Sequence, residues 1–299
     1  MSPPRLLGIG ALILIVPSSA FAVAINSDVG LTPAKDQWIV RSQLRYTKKS
    51  DDPTAQDREL EIFMMSQTVV YGLTEKASVI LTIPFLSKEL DATTDGIRTS
   101  RGDAGVGDLL LLGKYRVYTR DYPAATSRFS VVAGTDLPTG QSGDADARGK
   151  LPRDLQLGSG SADPLVGGAY TWQDLNGEWD VSLTYQFNTT ANTFEFGDVL
   201  TYTVAYQRRV WPIKLPERRL YAQWNVVLEA NGQWEQKAKS HGGRVDNTGG
   251  HLLFLSPGLQ VATKHFVAET SIQLPVLQNL TGNQVEPDFT LVGSIRVTF

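Results

Sequence analysis

Charged side chains recur in this chain at alternate positions within apolar stretches, and that placement is where its chemistry could reside. Arg41, Arg45, Glu61, Lys114, Arg116, Glu229, Glu269 and Arg296 all stand in such stretches. If each stretch is a strand, residues two apart share a face. These eight then gather on the face opposite the apolar one. Charges of both signs facing one another either line a water-filled passage for a polar or amphipathic solute, or pair off and brace a wall. Should a passage have a constriction, Lys114, Arg116 and Glu229 are the residues expected to form it.

The other reactive side chains offer less. Three histidines, His241, His251 and His265, are not at metal-ligand spacing, and H-E-x-x-H is absent. With no cysteine there are no thiolate ligands, catalytic thiols or disulfides. His251 with a serine such as Ser256 is a conceivable acyl-transfer pair at a membrane surface, although G-x-S-x-G is missing. Asp144 and Asp146 could touch a divalent cation, but no further ligands accompany them in a defined loop motif. Glycine-rich pieces at 102–107, 134–140 and 158–164 lack a following G-K-[ST] and a helix to receive phosphate. Turn and loop chemistry accounts for them. No catalytic residue, metal or cofactor is expected.

What must position the charged residues follows from composition and periodicity. The chain has 299 residues, a net charge of −3 and 41% hydrophobic residues. That charge balance gives no reason to expect a nucleic-acid partner. A mean hydropathy of −0.15 leaves no room for several apolar 20-residue spans. One apolar run stands at the N-terminus: Arg5 precedes Leu6 to Val16, Pro17 stops the run, and Ala20-Phe21-Ala22 fits an A-x-A cleavage site. The run is too short to span a bilayer, so residues 1–22 are expected to be a cleavable signal peptide. Ala22-Val23-Ala24 is a second candidate site, and a mature start near Val23 is expected.

The rest alternates with a period of two. Trp179, Val181, Leu183, Tyr185 and Phe187 interleave with Asp180, Ser182, Thr184, Gln186 and Asn188. Twelve such segments occur, at 37–48, 58–71, 76–87, 107–119, 127–138, 164–173, 177–188, 197–209, 219–231, 251–262, 264–275 and 287–299. They are long for a globular sandwich and long enough for tilted membrane strands, which need roughly 9–11 residues. Long connections at 88–106, 139–163 and 232–250 follow odd-numbered segments, and short ones follow segments 2, 6 and 10. Long loops outside and short turns in the periplasm are the habit of outer-membrane barrels. Connections at 120–126 and 210–218 are the exceptions, being longer than a tight turn requires. Aromatics near segment ends (Trp38, Tyr46, Tyr71, Tyr118, Trp172, Trp179 and Phe289) suit an interfacial girdle. Arg208 alone falls in the oily phase of its segment, close enough to one end to reach headgroups. The expected fold is all-β: a 12-stranded antiparallel transmembrane β-barrel over 23–299, located in the outer membrane of a Gram-negative-type cell.

Short pieces of the chain resemble an outer-membrane family named for the meta-pathway of phenol degradation. The matching residues are Tyr71-Gly72-Leu73-Thr74, Ile83-Pro84-Phe85, and Gly105-Val106-Gly107-Asp108 leading to Gly113-Lys114-Tyr115-Arg116. Thr135 to Gly140 and Leu157 to Pro164 continue the likeness, which spans roughly 37–299 and is densest at 71–170. The resemblance implies a transporter-like barrel passing aromatic or hydrophobic compounds, and it assigns no substrate site. The expected partners are membrane lipid, small organic solutes and, through the C-terminal Phe299, the barrel-assembly machinery. Expected function is passive passage of small organic compounds. The alternatives are a structural or surface-binding barrel acting through its outer loops and, behind it, a surface lipid hydrolase using the Ser–His pair.

Overall fold

The computed structural model describes residues 24–213 and 222–299. The expected signal peptide, the start at Val23 and part of the 210–218 connection lie outside the described residues. Thirteen strands form one antiparallel sheet: β1 (Trp38–Asp51), β2 (Glu59–Gly72), β3 (Ala77–Thr94), β4 (Ile97–Val106), β5 (Leu109–Tyr122), β6 (Ala125–Leu137), β7 (Asp163–Asp174), β8 (Gly177–Gln186), β9 (Val199–Trp211), β10 (Gln223–Glu235), β11 (Gly250–Ala262), β12 (Phe266–Leu280) and β13 (Glu286–Thr298). Neighbours pair in chain order, and β1 pairs with both β2 and β13, so the sheet closes on itself. β4 continues the line of β5 beyond a break at Gly107-Asp108: β3 pairs through 77–82 with β5 and through 85–94 with β4. Twelve staves therefore close the barrel, as the alternation requires.

The alternation explains why the sheet closes. Leu44, Phe63, Leu183, Leu228, Leu259 and Ile295 each keep more than two-fifths of their surface exposed, and all face outward. Leaving such half-exposed side chains in water forfeits about 1 kcal/mol apiece, so this belt is made for hydrocarbon. Between them the inward positions are polar and buried, including Ser130, Thr171, Asn225, Gln260 and Glu269. A closed sheet leaves no unpaired edge in lipid, which is why strands cross membranes only this way. Trp38 packs on Tyr71, with ring centroids 4.5 Å apart, and Trp179 on Tyr206 at 4.5 Å, at the end where the short turns lie. Tyr46 meets Phe289 toward the other end. Arg208 is exposed at the short-turn end of β9.

Two expected connections differ. The stretch 88–106 is mostly strand, because β3 runs on to Thr94 and returns as β4. Its charged residues read as loop, yet they pair across strands above the belt: Arg98 lies 2.9 Å from Asp57 and 3.1 Å from Glu59. The connection at 120–126 is a two-residue turn, Pro123-Ala124, since β5 and β6 both extend toward it. The segment at 164–173, diluted by Gly167 and Gly168, is a regular strand. A Cβ at Gly168 would press on the Phe129 ring, 3.0 Å away.

Outside the belt, the 52–58 connection is clipped by one carboxylate. Asp52 accepts from Arg58 Nε at 2.9 Å and Nη2 at 2.8 Å, from the Arg58 amide at 2.8 Å and from Thr54 Oγ1 at 2.8 Å. The Arg58 guanidinium holds this carboxyl well below the usual carboxylate range. A folded-state value below the unfolded one stabilises the loop above the unfolded pKa and loses that stabilisation as pH falls through the folded one. Protease resistance of this loop is therefore expected to exceed that of an Asp52→Asn variant by a constant margin down to about pH 4, and the margin to shrink in stronger acid. A margin unchanged down to about pH 2 would contradict this.

Candidate functional site

Parts of the chain that are not staves enter the lumen at both ends. Residues 24–37 enter the barrel from the short-turn end as an extended strap. Ala24 and Ile25 are fully buried within it. The Ile25 amide donates to Glu229 Oε1 at 2.6 Å, and the Asn26 amide to Glu229 Oε2 at 3.0 Å. Asn26 Nδ2 reaches Ser271 Oγ at 3.0 Å. Asp28 pairs with Lys114 at 2.7 Å, and Lys114 also donates to the Val29 carbonyl. Gly30 is held from two strands: its amide donates to Thr171 Oγ1 at 2.9 Å, and its carbonyl accepts from Ser130 Oγ at 2.7 Å. The strap thus uses lumen polar groups that would otherwise need water.

At the other end the loop 138–162 folds into the mouth. Leu151 and Leu155 pack on Leu60, with Ile62 and Leu90 beside them. The Gln156 carbonyl accepts from Lys88 Nζ at 2.6 Å. Asp108 fastens the loop's base, accepting from the Gly140 amide at 2.9 Å and the Ser159 amide at 2.7 Å. Gly140 and Gly158 pack backbone on backbone there: a Cβ on Gly158 would fall 2.5 Å from the Gly140 carbonyl. The glycine-rich pieces at 134–140 and 158–164 therefore knit a lid rather than cradle a phosphate. Arg153 lies over the Phe194 ring at 4.3 Å, and Phe194-Glu195 pairs in turn with Lys239-Ser240, tying three outer loops together. The lid loop turns its leucines inward.

Between strap and wall lies a cavity of about 330 Å³. Ile39, Val70, Ile80 and Leu112 give it apolar surface, while Arg41, Arg45, Lys114 and Arg296 give it positive charge. Of the eight charged residues singled out by spacing, the lumen brings six together. Arg41 Nη2 donates to the Ile25 carbonyl at 2.5 Å and to Glu269 Oε1 at 2.7 Å. Arg296 joins Glu269 at 3.3 Å, and Ser294 and Gln260 complete that carboxylate's shell at 2.5 and 2.9 Å. Arg45 donates to Gln273 Oε1 at 2.7 Å. Lys114 and Glu229 hold the strap. Thus the charges both face the passage and pair off; neither reading alone describes them.

Two of the eight stand elsewhere. Arg116 is at the short-turn rim, donating to the Glu75 carbonyl at 2.7 Å, beside a register shift that ends the strand's regular inward phase. Glu61 faces outward: it lies opposite Lys48, on the face opposite that of Leu60, which packs inside under the lid. Its strand changes composition above the belt, so a charge there need not be a lumen charge. His251 and Ser256 point to opposite faces of β11. The histidine meets Tyr202 OH at 2.7 Å on the outer face, and the serine donates to Asn231 Oδ1 at 2.6 Å within the lumen. They cannot act as a pair. Asp146 is taken by Arg101 at 2.7 Å. Among the described residues no group of three or more His, Asp or Glu gathers as a metal site.

Sequence reasoning missed the strap and the carboxylates Glu178 and Asp180, both buried on the inward face of β8. A signal was present: Asn26, Ser27, Asp28 and Gly30 are polar or small and lack alternation, between the expected cleavage site and the first stave. Such a stretch is too long for a simple overhang.

A sequence profile for a family described as "Putative MetA-pathway of phenol degradation" matches residues 49–274. No match was found among curated proteins. Among solved structures, the chain is similar to an outer membrane channel from Pseudomonas putida F1, with a TM-score of 0.68 and 13% identity, covering 92% of this chain and 100% of that one. It is also similar to the beta domain of the Bordetella autotransporter BrkA, with a TM-score of 0.42 and 10% identity, covering 89% of this chain and 100% of that one. The first likeness agrees with a closed outer-membrane barrel of twelve staves.

Proposed function

Because the chain belongs to this phenol-degradation family of outer-membrane β-barrels, we propose that it is an outer-membrane channel for passive passage of small organic solutes with an aromatic or otherwise apolar body. The observation that carries the reading is the cavity beside the strap, whose walls alternate aliphatic side chains with the cations Arg41, Arg45, Lys114 and Arg296. An apolar lining with a few placed polar groups suits a solute having an oily body and a polar end. A sugar, which would have to give up many hydrogen bonds to water against Ile39, Val70 and Leu112, fits poorly. Family association and the fold of the Pseudomonas channel support the same reading. Strap and lid would set the flow, because between them they occupy both mouths.

The test is flux into proteoliposomes. Vesicles carrying the protein are expected to take up a small phenolic solute faster than protein-free vesicles, and to favour it over a neutral sugar of equal size. Bare vesicles leak phenolics, so the protein-dependent increment is the quantity read. No increment for any solute, with the strap present or removed, would end the proposal; equal increments for sugar and phenolic would end its chemical part.

A further inference from the structure

The apolar wall of the cavity is one rung of the sheet. Ile39 stands opposite Val70, Val70 opposite Ile80, and Ile80 opposite Leu112. Four aliphatic side chains from β1, β2, β3 and β5 therefore lie side by side on the lumen face. Leu31 and Pro33 of the strap line the same space. On the lid side of this rung the polar groups are engaged. The Thr68 and Thr82 hydroxyls share a hydrogen bond of 2.9 Å, and Arg41 is bound to Ser294, Ile25 and Glu269. The short-turn side is different. Ser78, two residues before Ile80 and on the same face, is 2% exposed and lines the cavity. Its Oγ has no hydrogen-bond partner among the described residues. Lys114 stands opposite it and gives two of its three N–H groups to Asp28 and the Val29 carbonyl. Leaving a buried hydroxyl unpaired is costly, and folded proteins rarely do so.

We propose that this end of the cavity is a binding slot for a neutral aromatic ring bearing one hydroxyl, a simple phenol. The ring lies between the aliphatic rung and the strap. Its hydroxyl accepts from the third Lys114 N–H and donates to Ser78 Oγ, a pairing open only to a group that both gives and takes a proton. Lys114 already has its counter-ion in Asp28 at 2.7 Å, so this end suits a hydroxyl better than an anion. Arg45 stands toward the lid, on the far side of Arg41 from the rung. Space is sufficient: an aliphatic cavity of about 150 Å³ holds benzene, and this one measures about 330 Å³. The inference rests on the reading of the cavity as a passage for solutes with an oily body, and adds the group that holds one of them.

The test is binding, read apart from flux. Protein purified in detergent is titrated with para-fluorophenol or with fluorobenzene, which lacks the hydroxyl, and fluorine NMR line width is followed against protein-free micelles. Wild type is expected to broaden both signals saturably. Ser78→Ala is expected to weaken para-fluorophenol about fivefold, the usual effect of one hydrogen bond, and to leave fluorobenzene unchanged. Ile80→Trp, which fills the slot, is expected to abolish saturable broadening of both in a chain still folded by its heat-modifiable migration. Broadening that never saturates, an equal loss of both solutes in Ser78→Ala, or retained binding in Ile80→Trp would overturn the slot. Saturable binding that depends on Ser78, without flux in vesicles, would support the slot and count against passage; flux without saturable binding would do the reverse.

Discussion

Removing residues 24–32 while keeping residues 1–23 is expected to raise single-channel conductance several-fold and to leave the barrel folded. The strap contributes no rung to the sheet, whose staves pair only with one another. Its loss leaves Glu229, Lys114, Thr171 and Ser130 facing a wider lumen in which water replaces the backbone groups they now bind. Selectivity should change with width. The cavity is lined by Arg41, Arg45, Lys114 and Arg296, against the carboxylate of Asp28, which leaves with the strap. Glu229 and Glu269 stay in the lumen among those cations, so the lining loses one negative charge, that of Asp28, a change that favours anions. Planar-bilayer recording of the shortened chain should show larger steps and a reversal potential moved toward anion selectivity. Unchanged conductance would mean that the lid alone limits flow.

Glu269→Ala is expected to lower barrel stability by about 3–5 kcal/mol, the usual effect of removing one partner from a buried charge pair. The Glu269 side chain is fully buried. It binds Arg41 at 2.7 Å and Arg296 at 3.3 Å, and accepts from Ser294 and Gln260. Alanine leaves two guanidinium groups close together in a dry part of the lumen without their carboxylate. It also ends a side-chain relay that runs on from Gln260 to Asn225 at 2.9 Å, across β12, β11 and β10. Arg41 would then keep the Ile25 carbonyl as its strap contact, so the strap should loosen as well. Urea unfolding in lipid vesicles, followed by gel migration, measures the loss. A change below about 1 kcal/mol would show that water reaches this cluster and already screens it.

Much of the architecture was legible because a membrane barrel writes its environment into every second residue. Val181 and Leu183 face hydrocarbon while Asp180 and Ser182 face the lumen, with no tertiary choice in between. Where that environment ends, the code ends too. β3 and β4 continue above the belt with charges on both faces, so Glu89, Asp91 and Arg98 read as loop although they are strand. Glu61 was placed in the lumen for the same reason: above the headgroups an outward carboxylate meets water and Lys48, and costs nothing. Arg116 followed the rule of alternation into a position where a register shift interrupts it.

The amino-acid order alone determined twelve staves, an oily exterior, a charged interior and glycine-rich loops. These follow from local chemistry repeated along the chain: side chains alternate across a strand, and each must match the medium it meets. Only the tertiary structure decided that residues 24–37 turn back into the barrel, that Arg41, Lys114 and Glu229 bind this strap, and that the loop 138–162 packs Leu151 and Leu155 against Leu60 at the far mouth. Those contacts join residues up to 204 positions apart. They depend on the circumference at which the sheet closes, a distance that no single stretch of sequence contains.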